Sequence, residues 1–321
     1  MDGVLIIAFG GPQGPQDVRP FLANVLRGRA VPSERIEQVA RQYEQFGGRS
    51  PILEMTRRQA VGLQERLNDR GLQLPVYVGM RHWHPYLADV LAEMSRAGIR
   101  RVAGFIAAAH HSPASCGQYR QDAREARRRL AQAGLADVQI AWVDSWYDHP
   151  GFIAAAAAQA RSALARLPAE LAPRAQLVFT AHSLPEAMAA GCRYRLQLLT
   201  SARLTAEALG RRDWVLVFQS RSGRPEDPWL GPDVRDYLRE ARASGLPAAV
   251  IVPIGFLCDH LEVVYDLDVA AAGVCREIGL PMIRAGTVGQ EPAFIDMMAD
   301  LVERVVVRHR RFPVLPIAPS S

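Results

Sequence analysis

The stretch Leu177-Val178-Phe179-Thr180-Ala181-His182-Ser183-Leu184-Pro185 decides the fold class of this 321-residue chain. Residues 177–180 form a short uncharged run of branched, aliphatic and aromatic side chains, the composition of a strand buried on both faces of a parallel sheet. The run stops at a polar turn, and a helical pattern follows over 195–209. The same unit recurs in both directions. Strands are predicted at 4–8, 76–80, 102–107 and 138–143 before this point, and at 214–219, 248–253 and 282–285 after it. Helical patterns over 56–69, 86–97, 118–133, 152–166, 234–243 and 292–307 lie between and after them. Strands separated by single helices imply βαβ units and parallel sheets covered on both faces.

The strands divide into two sets of four, broken near 144–150 (DSWYDHP). The expected architecture is α/β, with two flavodoxin-like, doubly wound parallel-sheet domains at 1–145 and 146–310 and a loose Pro-rich tail at 311–321. Two domains also suit the length, since one core rarely serves more than about 200 residues. In such sheets ligands bind beyond the carboxyl ends of the strands, so the loops after strands carry the functional reading.

Composition narrows the class. Hydrophobic residues make up 49% and charged residues 22%, which excludes a disordered or fibrous chain. The 38 basic residues are all arginine, and against 33 acids they leave a net charge of +5. That excess is mild, and the clusters at 124–129 (REARRR) and 308–311 (RHRR) read as solvated helix faces rather than a nucleic-acid surface. Cys116, Cys192, Cys258 and Cys275 are far apart, without a CxxC pair, which argues against a zinc ribbon or a disulfide-stapled secreted domain. The opening MDGVLIIAFGG lacks a signal peptide's basic region, and the longest uncharged apolar run, 246–258, is short of the roughly 18–20 residues that span a bilayer. A soluble cytoplasmic protein is expected.

Four post-strand segments could carry chemistry. Phe9-Gly10-Gly11-Pro12 is not a dinucleotide fingerprint, because Pro12 removes an amide that a phosphate cradle would use. It reads either as a plain βα turn or as a tight turn that lets a flat ligand approach the backbone. His182 projects from the carboxyl edge of its strand, where a neutral imidazole can accept a proton or ligate a metal. Asp259, Glu262 and Asp266 follow another strand at i, i+3, i+7 and are expected on one helix face. Asp259 there could cap the helix, whereas Asp266 lies a full turn beyond any cap. Such a stripe, with a histidine from a neighbouring strand end, could guide a divalent cation such as Fe²⁺. Arg81-His82-Trp83-His84-Pro85 and the FQSRSG and DPWLGP segments add aromatic and polar groups after further strands. Ser183 has no nucleophile elbow, which argues against a hydrolase.

Taken in order, FGGPQGPQDVRPFL (9–22), GGRSPI (47–52), FTAHSLP (179–185), FQSRSG with DPWLGPDV (218–234) and VPIGFLCDHLEVVYDLD (252–268) resemble the ferrochelatases. These are the metal-inserting enzymes of haem synthesis, and the similarity runs over residues 4–308. The resemblance implies a porphyrin cleft between the two domains, with His182 and Glu262 as the paired catalytic residues. It also implies His182, Glu262 and Asp266 as the metal path, with Ala270 next on that face where some members carry another acid. The RGR turn (27–29), YEQFGGRSPI (43–52) and SCGQYR (115–120) look most like the actinobacterial coproporphyrin III enzymes. By that resemblance Phe9, Ser50 and Tyr119 contact substrate, and Arg27 or Arg29 grips propionates through its fork. Phe9 stands where some members have an iron-ligating tyrosine, and Leu26 and Gln42 stand where some have propionate-binding arginines. The expected function is insertion of Fe²⁺ into coproporphyrin III, with protoporphyrin IX insertion or non-catalytic haem or porphyrin binding as alternatives. Fe²⁺ is a substrate and no resident cofactor is required. Cys116 stands where many members place one cysteine of a [2Fe–2S] cluster, but the other three lack the family spacing, so no cluster is expected. No motif specifies a partner among haem-pathway enzymes or a peripheral membrane contact.

Overall fold

The computed structural model describes residues 1–28, 31–222 and 226–311. Eight strands form: β1 (Gly3–Ala8), β2 (Val76–Met80), β3 (Arg101–Ile106), β4 (Gln139–Trp142), β5 (Gln176–His182), β6 (Trp214–Gln219), β7 (Ala249–Val252) and β8 (Met282–Arg284). Helices α1 (Val18–Val25), α2 (Ser33–Glu44), α3 (Ile52–Asp69), α4 (Leu87–Arg96) and α5 (Gln118–Gln132) accompany the first four. The rest are α6 (Pro150–Leu164), α7 (Glu186–Ala190), α8 (Tyr194–Ala208), α9 (Val234–Ala243), α10 (Leu261–Val263), α11 (Ala272–Glu277) and α12 (Pro292–Arg311).

Every strand pairing is parallel, and the two sheets repeat one winding, β2-β1-β3-β4 and β6-β5-β7-β8. The chain therefore reverses direction across each sheet between its first and third strands, β1/β3 and β5/β7. A crevice opens at such a reversal because the flanking loops leave on opposite sides. β1 and β3 are the interior strands of the first sheet and β5 and β7 of the second; all six residues of β1 and all four of β7 are buried. Burial on both faces explains why these strands read as continuous apolar runs rather than as alternations.

The two halves share one core. Val4, Ile6 and Phe105 of the first sheet and Phe179 and Val250 of the second belong to a single apolar cluster with Phe152 of α6 and Phe294 of α12. α12 packs on α6 and also returns to α3 of the first half. There Arg70 bonds Asp300 at 2.5 Å and Glu303 at 3.1 Å, and Arg66 reaches Asp296 at 2.7 Å. The arginine clusters face solvent as expected, and they are paired. On α5, Arg127 pairs with Asp137 and Arg128 with Glu125.

Four helices, α1, α2, α7 and α11, lie outside the expected helical patterns. For α1 and α2 the signal is present: Val18, Phe21 and Leu22, and Ile36, Val39, Ala40 and Tyr43, recur at helical spacing and pack together. The polar loop around Cys116 forms a π-helical turn, Pro113–Gly117, rather than an irregular loop.

Candidate active site

β5 ends on His182, which lies in register with Gln219 of β6. The His182 ring is fixed by its neighbours. Nδ1 lies 2.5 Å from the Ser183 carbonyl, which can only accept, so Nδ1 carries the hydrogen and Nε2 is the exchangeable nitrogen. The Tyr194 hydroxyl donates to the His182 carbonyl at 3.0 Å, and Ser183 Oγ donates to the Leu230 carbonyl at 2.7 Å. That last bond seats the DPWLGP segment against the HSLP turn, where Pro185 and Trp229 also bridge.

Glu262 arrives from the loop after β7. Gly255 makes the approach possible: its amide donates to the Thr180 carbonyl at 3.1 Å, and a Cβ there would meet the Ala181 Cβ at 2.6 Å. Glu262 Oε1 then lies 3.6 Å from His182 Nε2, with the two side chains 43% and 32% exposed. Gly255→Ala is expected to cost about 1–3 kcal/mol through overpacking and to separate the pair. Urea unfolding with a parallel metal-insertion assay checks this; wild-type values in both would refute the close-approach role.

The helix bearing Glu262 differs from the expected one. It starts at Leu261, His260 is its N-cap residue without a side-chain cap, and after Val263 it widens into a π-helix, Val264–Ala271. Asp259 therefore precedes the helix, neither caps it nor joins the stripe, and pairs instead with Arg284 at 3.2 Å. Asp266 remains near Glu262 and accepts a short hydrogen bond from Ser220. Ser220 holds a left-handed φ of 60°, a conformation that costs a side-chain-bearing residue about 1–3 kcal/mol and recurs at functional sites. The Gln219 amide donates to the Glu262 carbonyl at 2.6 Å, tying the helix start to the sheet beside His182.

These groups perturb one another. Partial burial acts to lower the His182 pKa, but the Glu262 carboxylate, the Ser183 carbonyl and the Asp266 charge overcome it and hold the imidazole above its ordinary value. Burial acts to raise Glu262, and the His182 charge with its hydrogen bond pulls it below the carboxylate range. Asp266 is pushed up to about 6, by burial first and by the Glu262 charge, against the bond from Ser220. An acid–base pair in contact beside a carboxyl with a raised pKa is the pattern of a proton-handling site.

The remaining sequence-predicted residues lie around this centre in the first half. Phe9 follows β1, its ring 4.6 Å from His82 and 6.3 Å from Phe21. Phe9, Phe21, Tyr43 and Trp83 form one apolar cluster with Leu261 and Tyr265, so the first half packs directly on the residues flanking Glu262. Ser50 is buried beneath the Gly-rich turn, where a Cβ on Gly11 would come within 2.7 Å of its hydroxyl. Tyr119 is buried at the start of α5 beside Arg81, which pairs with Asp122 at 2.7 Å. Arg27 is exposed at the end of α1 and donates to Asn24 at 2.6 Å, while Arg29 lies outside the described residues. His82 and His84 stack on Phe9 and Tyr86 rather than forming a pair. Tyr194 and Arg284 were not singled out in sequence, although Arg284 fell inside a predicted strand; Gln219 lay in the FQSRSG segment, without a role of its own.

Among the described residues no three His, Cys, Asp or Glu side chains group closely enough to cage a metal. Cys116 is buried with its sulfur 2.7 Å from His111 Nδ1, and the other three thiols sit apart from it, so the donors present do not fit a [2Fe–2S] cluster. No helix among the described residues is long and apolar enough to cross a membrane.

Comparison with known proteins follows the same line. The chelatase SirB of Bacillus subtilis, solved with Fe³⁺, superposes with a TM-score of 0.59 over 97% of this chain and 98% of its own, at 10% identity, a likeness of fold. A ferrochelatase of Rhodopirellula baltica is 44% identical over 315 residues, 98% of this chain and 89% of that protein. Coproporphyrin III ferrochelatases of Frankia alni and Streptomyces griseus are 46% and 43% identical over 326 residues, covering 98% and 97% of this chain and 81% and 87% of theirs. The ferrochelatase family model matches residues 1–306. A doubly repeated chelatase fold, a His–Glu pair at its strand ends and this breadth of identity have one reading: the chain is a member of the ferrochelatase family, a metal chelatase.

Proposed function

We propose that this enzyme inserts Fe²⁺ into coproporphyrin III, with His182 and Glu262 as its catalytic residues. The observation that carries the reading is the 3.6 Å separation of Nε2 of His182, at the carboxyl end of β5, and Oε1 of Glu262, on the helix that follows the neighbouring β7. Insertion requires two pyrrole N–H protons to leave while the metal sheds water. The macrocycle lies between the halves against Phe9, with Arg27 or Arg29 as the propionate grip and Ser50 and Tyr119 as the further substrate contacts. As the approaching dication weakens the hold of Glu262, the His182 imidazolium gives its Nε2 proton to solvent; the freed Nε2 then takes one pyrrole proton and water takes the second, so that two protons leave as one dication enters. Glu262 and Asp266 supply oxygen ligands suited to a hard-to-borderline cation, with the His182 imidazole 3.6 Å from Glu262 beside them. Iron is thus substrate and cargo, no resident cluster takes part, and the enzyme works in the cytoplasm.

The substrate is read from the coproporphyrin III enzymes among the relatives, and protoporphyrin IX is the competing substrate. Anaerobic Fe²⁺ insertion with the two porphyrins in parallel decides between them. A kcat/KM at least about tenfold higher for coproporphyrin is expected, because two extra propionates offer charge-assisted bonds of roughly 1.4 kcal/mol or more in total. Equal values, or a preference for protoporphyrin, would overturn the substrate assignment and leave the reaction intact.

A further inference from the structure

Glu262 and Asp266 stand where a helical run changes its winding, between the one turn of α10 and α11. α10 lasts three residues before the chain widens into the π-helical Val264–Ala271. Such wide turns are uncommon and usually short, so the direction of Glu262 must be set from outside the segment. Arg284, at the end of β8, makes the contacts that can do so. Its Nε and Nη2 donate to the two oxygens of Asp268 at 2.6 and 2.7 Å, and its Nη1 donates to Asp259 at 3.2 Å. Nη1 also donates to the Ala285 carbonyl at 3.3 Å, and the side chain is only 15% exposed.

The spacing of the two acids gives this clamp its meaning. Asp259 and Asp268 are nine residues apart in sequence. On a regular helix nine residues rise about 13–14 Å, more than one guanidinium spans. Here one guanidinium holds both, because His260 is extended (φ −148°, ψ −179°) and the chain entering the helix lies beside its body. Glu262 and Asp266 lie between the two clamped positions.

We propose that Arg284 is a positioning residue for metal insertion, fixing the entry to the Glu262–Asp266 segment against its π-helical turns. The proposal rests on the assignment of Glu262 above. A fork is needed: a planar guanidinium grips one carboxylate with two parallel bonds while reaching a second acid, whereas an ammonium offers a point charge.

The test compares wild type with Arg284→Gln, Arg284→Lys and Asp268→Asn. The readouts are kcat and KM for anaerobic Fe²⁺ insertion, porphyrin binding by fluorescence quenching, and hydrogen–deuterium exchange over 261–271. Arg284→Gln is expected to speed exchange in that segment while the strands stay protected. Its kcat is expected to fall about 10–100-fold, as displacements near 1 Å do, with porphyrin affinity within about twofold. Arg284→Lys should fall between Gln and wild type, and adding Asp268→Asn to Arg284→Gln should cost less than about twofold more, because the clamp is already lost. Unchanged kcat, unchanged exchange, or a loss shared by porphyrin affinity and the whole sheet would overturn positioning. If Arg284→Gln fails to fold, Arg284→Lys and Asp268→Asn carry the same readings. Glu262→Gln separates the two assignments: wild-type activity there sinks the Glu262 reading, whereas an inactive Glu262→Gln beside a fully active Arg284→Gln sinks only the clamp.

Discussion

Glu262→Gln and His182→Ala each lower anaerobic Fe²⁺ insertion by about two to four orders of magnitude, the usual contribution of a positioned proton-transfer group. The two are 3.6 Å apart and shift each other's pKa, so they are expected to act as a unit. The double variant is therefore expected to be within about tenfold of the slower single one, rather than at the product of both losses. Porphyrin binding is expected to survive in all three, because neither substitution removes a side chain of the first-half cluster of Phe9, Phe21 and Tyr43. Steady-state rates and fluorescence quenching measure both halves of this expectation. Rates equal to wild type in both single variants would remove the pair from the chemistry. A multiplicative double variant would show two independent sites.

The second large effect is on the titration of His182. Its pKa is raised in the folded protein because Glu262, the Ser183 carbonyl and Asp266 outweigh the lowering by burial. Protonation of this imidazole thus stabilises the fold fully below the ordinary histidine value near 6.5, and the contribution is lost as pH rises through the higher folded value. Glu262 runs the other way: its depressed pKa stabilises the fold above about 4.5, and that contribution is lost as pH falls through the folded value. Between those limits the pair is imidazolium and carboxylate. In Glu262→Gln the largest raising influence disappears while burial persists, so the imidazole is expected to titrate well below its wild-type position. Labelled-histidine NMR reads this directly, without metal or turnover. An unshifted His182 resonance would mean that its proton is not held by Glu262. The same logic makes a divalent cation at Glu262 expel the proton from His182, which couples arrival of iron to creation of the base.

How much of this was legible in the sequence varies by element. β2 and β6 were read to the residue, and the other six strands to within a few residues, because a strand buried on both faces must be a continuous apolar run. His182 was legible for the same reason: it ends such a run, and the end of a central strand in a doubly wound sheet faces the crevice. The carboxylate stripe was half legible. Spacing placed Glu262 and Asp266 together but drew in Asp259, because it assumed a regular helix through 259–266, where the chain is extended and then π-helical.

The sequence by itself determined the fold class, the strand ends and the identity of the residue types with chemistry to offer. These are local matters, set by runs and turns a few residues long. Only the tertiary structure decided that His182 and Glu262 face each other, that Gly255 permits it and that Arg284 binds two acids around one helix start. Each depends on a contact between strands or loops distant in sequence, whose geometry is fixed by sheet register and close packing rather than by neighbouring residues. The wholly arginine-borne charge shows the difference most plainly. Composition counts 38 equal side chains, and the fold separates the surface pairs of α5 from the half-buried fork that holds the proposed catalytic helix in place.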